Sequence, residues 1–406
     1  MLPLFKDVSV SEAVGEIMHN RSRSKVFSGL FFLVGLFFLN FTSRVIFSPL
    51  LPIIEGEFGL DHTAAASFFL LISAGYFCSI LLSGFVSARI NHQKTIVLST
   101  VASGIVLLLL SLCSTLFLMR IGLFSLGLAA GLYLPSGLAS ISSLVSPAYL
   151  ARGMAVHELA PNLGFVAAPI LAGMMFRCCS WQQGLMWLGV LMIGAGVLYG
   201  MAGGGCRERG KSLDLLTSRA ILSRPDFWLM VLLFSLAICS SLGVYAMLPL
   251  FLVSDQGMTP ERANRLLAFS RIAALAMPLV AGWLGDRVGN RSVMALVLLI
   301  AGFCTVSLGL TSSSPWLVAF VILQPMVAVC FFPSGFAVLS TLGPDGQGAL
   351  AISLCIPVAF LLGGGVLPVL IGAIGDYASI GVGFMVTGTV MMAGALLAFL
   401  VSFEKK

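Results

Sequence analysis

Between short polar breaks, the chain is written in long apolar runs with no alternation of period two. Such runs fall at about 27–54, 63–87, 95–113, 116–144, 153–176, 184–203, 227–252, 265–285, 293–311, 316–341, 349–374 and 380–402. A bilayer-crossing helix needs about 20 apolar residues, whereas a membrane barrel strand shows roughly ten alternating ones. The pattern therefore predicts twelve transmembrane helices. Residues 1–25 are too polar for a secretory signal, and no cleavage site follows a short apolar core. They are expected to form a cytoplasmic segment whose Leu4, Phe5, Val8 and Ile17 touch the membrane surface.

Composition strengthens this picture. Hydrophobic residues make up 59% of the 406 and charged residues only 9%, with a mean hydropathy of +1.06; soluble domains carry about 25% charged residues. Water-soluble, disordered and collagen-like classes are excluded. Most of the nine cysteines sit inside apolar runs, where they read as small hydrophobes, and neither CxxC nor Cys/His spacing suggests a metal. The net charge of +6 is a matter of topology. With the N-terminus inside, sixteen lysines and arginines fall in cytoplasmic segments, and three, Arg177, Arg262 and Arg265, fall on the other side. Lysine and arginine are retained on the cytoplasmic side during insertion. Both termini are thus expected in the cytoplasm of a bacterial cell, the chain spans its inner membrane, and no nucleic-acid partner is needed.

The two halves repeat. Residues 131–144, GLYLPSGLASISSL, lie over 329–342, VCFFPSGFAVLSTL, so that Pro135 and Pro333 are 198 apart. Gly84 and Arg89 match Gly282 and Arg287 at that same offset, while Pro49 pairs with Pro249 at 200 and Pro169 with Pro368 at 199. The organisation is two six-helix bundles, 26–203 and 227–402, joined by a cytoplasmic linker at 204–226 and followed by a tail at 403–406.

At the helix 8–9 junction stands Gly282-Trp283-Leu284-Gly285-Asp286-Arg287-Val288-Gly289-Asn290-Arg291, and an eroded copy at helices 2–3 has Ala88 at the acidic position. Together with the repeat and the twelve spans, this resembles the major facilitator superfamily. The resemblance covers essentially the whole chain and implies an all-α membrane protein of two pseudo-symmetric bundles. It also implies a gate at Arg89, Asp286, Arg287 and Arg291, in which Asp286 meets Arg287 and the positive end of a neighbouring helix; the bland alternative is a charged turn that only fixes topology.

Ionisable groups inside membrane helices are expensive and usually mark a transport path. Arg44, Arg120, His157, Glu158 and Arg271 are the candidates. Arg44, with Phe47 three and Pro52 eight residues on, resembles helix 1 of the organophosphate/phosphate antiporters and related anion transporters, where this arginine binds the substrate's phosphate. A guanidinium suits that task because its planar fork donates two parallel hydrogen bonds and stays charged when desolvated. Arg271 lies six residues inside the predicted helix 8 and could form the other jaw of an anion clamp. In the glycerol-3-phosphate transporter the second arginine is in helix 7, at a position matched here by Ser241. Asn40, Tyr133, Ser241 and Tyr245 are further substrate-binding candidates. Arg120, near the outer end of helix 4, reads as snorkelling to the interface. His157 and Glu158 are the candidate proton-coupling groups, and as chain neighbours they point about 100° apart, so one of them faces the cavity.

Two matches are discarded. Gly205–Ser212 satisfies G-x-x-x-x-G-K-[ST], but a P-loop follows a strand in an α/β domain and this one leaves a membrane helix. The N-x-[ST] matches at Asn20, Asn40 and Asn290 fall in cytoplasm or membrane. With no catalytic constellation and no cofactor motif, the reading is a monomeric secondary transporter of a small organic anion, proton-coupled or exchanging against a counter-anion. The alternatives are an efflux antiporter for amphiphiles with a wide apolar cavity, and a membrane receptor without flux.

Overall fold

A computed structural model describes residues 23–400, apart from 147–148, 203–205, 211–214, 313–314 and 343–347. The interfacial segment expected around Leu4, Phe5, Val8 and Ile17 and the tail at 403–406 lie outside the described residues. Among the described residues all regular structure is helical, and twelve helices are long and apolar enough to cross a bilayer. They are α1 (Ser28–Phe58), α2 (His62–Ile90), α3 (His92–Ser111), α4 (Leu116–Leu144), α5 (Arg152–Cys178), α6 (Trp181–Ala202), α7 (Pro225–Ser254), α8 (Pro260–Val288), α9 (Asn290–Leu310), α10 (Pro315–Leu339), α11 (Leu350–Tyr377) and α12 (Ile380–Leu400). The protein is a multi-pass membrane protein.

The main boundary difference is α8, which begins at Pro260 rather than near 265. Its first turn is polar, so hydropathy misses it. Thr259 nevertheless caps it by accepting from the Arg262 N–H, and Pro260 stands where its missing N–H has no intrahelical partner to lose. Arg271 consequently lies eleven residues into the helix, about 16 Å at 1.5 Å per residue.

Prolines decide where the spans bend. A proline withdraws the N–H that the carbonyl four residues back would receive. The helix is interrupted at Ile46 before Pro49, at Leu132 before Pro135, between Ala274 and Met277 before Pro278, and at Val329–Cys330 before Pro333. In α7 and α11 the irregularity is a π-turn, Cys239–Gly243 and Leu362–Val366. Bundle packing rests on glycine pairs that the repeat also relates. A Cβ added at Gly104 or Gly189 (α3 and α6), or at Gly302 or Gly388 (α9 and α12), would meet the opposing glycine's carbonyl at 2.5–2.7 Å. These helices touch backbone to backbone.

The halves meet along α2–α11, α5–α8 and α1–α7. In α1, α7 and α8 this contact involves the half of the helix toward the 1–2 and 7–8 loops; the opposite halves of α1, α7 and α8, toward the linker, pack within their own bundle. Specific bonds seal that loop face. Asp376 at the end of α11 accepts from the backbone N–H groups of His62 (2.7 Å) and Thr63 (3.0 Å) and from the Thr63 hydroxyl. These are unsatisfied donors of the first turn of α2, and a carboxylate there also complements the helix dipole. The structure is therefore closed on the loop face and parted on the linker face.

Candidate functional site

Arg44 ends the first segment of α1, just before the bend that Pro49 imposes. The bend turns its side chain into the middle of the molecule, where it is 7% exposed. Among the described residues no carboxylate pairs with it. Its guanidinium lies 4.2 Å from the ring centroid of Tyr76 and 5.3 Å from that of Phe41, a stacked arrangement that suits a delocalised cation. Nε has no hydrogen-bond partner among the described residues.

Arg271 is held similarly from the other half. It is 3% exposed and sits between the rings of Phe165 (4.5 Å) and Tyr245 (4.6 Å). Nη2 donates to the Ser241 carbonyl at 2.8 Å, while Nε and Nη1 have no partner. Ser241 lies in the π-turn of α7. Arg271 of α8 thus reaches the backbone of Ser241 in α7.

Aromatic rings connect the two cations. Phe165 packs edge-on against Phe41 at 4.8 Å and against Tyr245 at 4.7 Å. Freed carbonyls lock this layer. Pro169 leaves the Phe165 carbonyl without its helical donor, and the Tyr245 hydroxyl donates to it at 3.3 Å. Pro249 does the same to the Tyr245 carbonyl, which accepts from the Ser48 hydroxyl of the other half at 2.7 Å. Arg44, Phe41, Tyr76, Leu242, Tyr245 and Phe360 line a central cavity with contributions from both halves. Its free volume is about 20 Å³, room for roughly one water.

Arg271 and Ser241 do not line this cavity themselves, and other predicted residues also fall outside it. Asn40 is fully buried and donates to the Ala130 carbonyl at 3.1 Å, tying α1 to α4. Tyr133 is fully buried and donates to the Leu33 carbonyl at 2.6 Å. Arg120 is exposed near the start of α4.

His157 is fully buried, stacked on Phe37 at 4.3 Å, with Nε2 3.2 Å from the Tyr133 oxygen. Since the single hydroxyl proton of Tyr133 goes to Leu33, Nε2 must carry the imidazole proton. Nδ1 is left as a bare lone pair with no hydrogen bond, 3.9 Å from a Glu158 oxygen. Glu158 is exposed, with a side-chain accessibility of 59%. The imidazole packs into the N-terminal half and the carboxylate takes the open side.

Known proteins place this geometry. A family model described as Major Facilitator Superfamily matches residues 33–277 and 252–406. The chain belongs to the major facilitator superfamily. Its relatives include a membrane sensor protein, UhpC, of Salmonella typhimurium, 24% identical over 313 residues covering 69% of this chain and 67% of that one. Another is the uncharacterised transporter YuxJ of Bacillus subtilis, 25% identical over 299 residues, 70% and 75% of the two chains. Among solved structures, a bacterial homologue of the human lysosomal transporter Spinster, inward-facing and occupied, superposes with a TM-score of 0.79 at 15% identity, covering 94% of this chain and 97% of that one.

Asp286 and Arg287 are exposed, Arg287 lies 4.2 Å over the Trp283 ring, and the expected pairing of Asp286 with Arg287 is not formed among the described residues. The reason is positional: the 8–9 loop lies on the parted linker face. Arg89 is exposed at the end of α2, and Arg291 is half-buried at the start of α9. In the N-terminal half, where Ala88 replaces the acid, the linker supplies the contact instead. The carbonyls of Cys206 and Glu208 accept from the Gln93 and His92 N–H groups at 2.9 and 3.2 Å, and the Gly210 N–H donates to the Ser87 carbonyl at 3.2 Å. Part of the P-loop-like sequence is thereby committed to a strap, with carbonyls turned toward the start of α3. Sequence reasoning did not find Phe41, Tyr76, Phe165 or Asp376. Rings in an apolar span carry no signal of their own, and Asp376 at a helix end reads as a boundary.

Proposed function

We propose that the protein is a secondary active transporter of a small organic anion, a carboxylate or phosphorylated solute, working by alternating access around Arg44 and Arg271. The observation that carries this reading is a pair of buried guanidiniums, one per half, without an acidic partner among the described residues. Buried charges are ordinarily paired. Rings stabilise these two only partially, and their unused N–H groups fit the oxygens of an anion. Tyr245 and the Ser241 region complete the contact. Glu158 and His157 are the coupling pair, taking a proton from the linker side when that face is parted. With the termini cytoplasmic, as the lysine and arginine distribution supports, the parted face is the inner one.

The test is uptake and exchange in proteoliposomes with a panel of carboxylates and phosphate esters, after a thermal-shift screen at two pH values has chosen the solutes. Arg44→Ala and Arg271→Ala are each expected to weaken apparent affinity by about ten- to a hundredfold, the scale of one lost charge-assisted bond. Full activity with both changes present overturns the proposal. A second reading, ligand sensing without flux, is favoured by the sensor name of one relative. Saturable binding with no turnover in the same liposomes selects it.

A further inference from the structure

A second cavity lies outside the central one, on the flank where α5 meets α8. It is a groove of about 340 Å³. Ile170 and Met174 of α5 face Phe269 and Ile272 of α8 across it, and all four are exposed although they lie in membrane spans. The groove therefore opens sideways into hydrocarbon. Toward the loop face its apolar walls give way to charge, with Arg177 from α5 and Arg265 and Glu261 from α8. Arg177 and Arg265 are two of the three cations that the sequence places beyond the helices on that face. Glu261 and Arg265 are one helical turn apart, yet among the described residues no ion pair joins them and Arg177 has none. Between the charged rim and the walls sits Asn264, 2% exposed; its Nδ2 donates to the Pro49 carbonyl at 3.3 Å, and its Oδ1 has no partner.

We propose that this groove holds one phospholipid of the loop-face leaflet, with a primary-ammonium headgroup of the phosphatidylethanolamine type. The acyl chain lies along Ile170, Met174, Phe269 and Ile272. The phosphate is taken by the guanidiniums of Arg177 and Arg265, which donate to its oxygens. The Glu261 carboxylate and the Asn264 oxygen accept from the ammonium. This set discriminates between headgroups. Choline has no N–H to give to Glu261 or Asn264, and a headgroup without a cation leaves Glu261 facing negative charge. Because the two walls belong to different halves, a lipid that touches both binds best while α5 and α8 are packed, and so favours the conformation closed on the loop face.

The experiment is native mass spectrometry of the purified full chain, offered phosphatidylethanolamine, phosphatidylcholine or phosphatidylglycerol in detergent, with inorganic phosphate as competitor. One phosphatidylethanolamine per chain is expected to be retained in preference to the other two. Arg177→Gln combined with Arg265→Gln should lower that retention at least about tenfold. Gly173→Leu should lower it with every charge in place. An added Cβ at Gly173 meets nothing within 4 Å, so that side chain fills the groove rather than the protein. Arg120→Gln, which removes an exposed cation from the same face, should leave retention as it was. The proposal is overturned by equal retention in wild type and Gly173→Leu, by equal loss in Arg120→Gln, by a preference for phosphatidylglycerol, or by displacement of the lipid by phosphate alone.

Discussion

Arg44 and Arg271 are held by rings instead of carboxylates among the described residues, and the proposed anion site rests on this arrangement. A fixed acid at either position would neutralise the guanidinium permanently, whereas an aromatic face offers partial stabilisation and leaves N–H groups unspent. His157 shows the same economy. Its Nδ1, without a hydrogen bond, lies 3.9 Å from a Glu158 carboxylate oxygen. The other titratable groups in this neighbourhood are Tyr133, bonded to Nε2, and Tyr199 of α6, which interacts with Tyr133. His157→Gln and Glu158→Gln should each flatten the pH profile of proteoliposome uptake while leaving anion binding measurable. A profile unchanged by both substitutions removes this pair from the coupling step.

At the scale of the element, bends and close approaches matter more than hydrophobicity, which is ample everywhere. Pro169 and Pro249 do more than kink α5 and α7, since the carbonyls they release hold the Tyr245 hydroxyl and Ser48 and so align the ring layer between the cations. Glycines act in the opposite sense by removing side chains. The α3–α6 and α9–α12 crossings are built alike, on Gly104 with Gly189 and Gly302 with Gly388. Adding a branched side chain at these points forces backbones apart, and lipid supplies no hydrophobic drive to hold them together. Gly104→Val and Gly302→Val are both expected to lower the melting temperature sharply or abolish monodisperse protein on size exclusion. Gly194→Val, with nothing within 4 Å of its added Cβ, is the tolerated control.

At the scale of the whole molecule, closure on one face and parting on the other comes from where the cross-half bonds lie. Asp376 clasps the start of α2, and Asn264 and Ser48 join α8 and α1 to their opposite halves. The 8–9 loop at the other face holds no matching ion pair at Asp286. On the proposed alternating-access cycle, a swing to the other state would exchange one set for the other. Asp376→Ala should loosen the loop face, seen as faster hydrogen exchange at residues 62–66, with little change at the 8–9 loop. Unaltered exchange there would show that apolar packing alone keeps that face shut.

Twelve spans, two bundles and the repeat were legible in the chain, because a bilayer tolerates only helices of a fixed length and duplicated prolines survive as spacing. Five candidate charged groups were legible too, since an ionisable residue in an apolar run stands out. What those charges do depended on rotation and depth that hydropathy does not encode. The capped polar turn at Thr259 moved Arg271 toward mid-span, chain neighbours His157 and Glu158 parted to opposite environments, and Asn40 and Tyr133 turned into their own bundle rather than the cavity. Partners such as Phe165 and Asp376 are fixed by contacts far apart in sequence, 80 residues for Phe165 with Tyr245 and 314 for Asp376 with His62, and only packing in three dimensions brings such groups together.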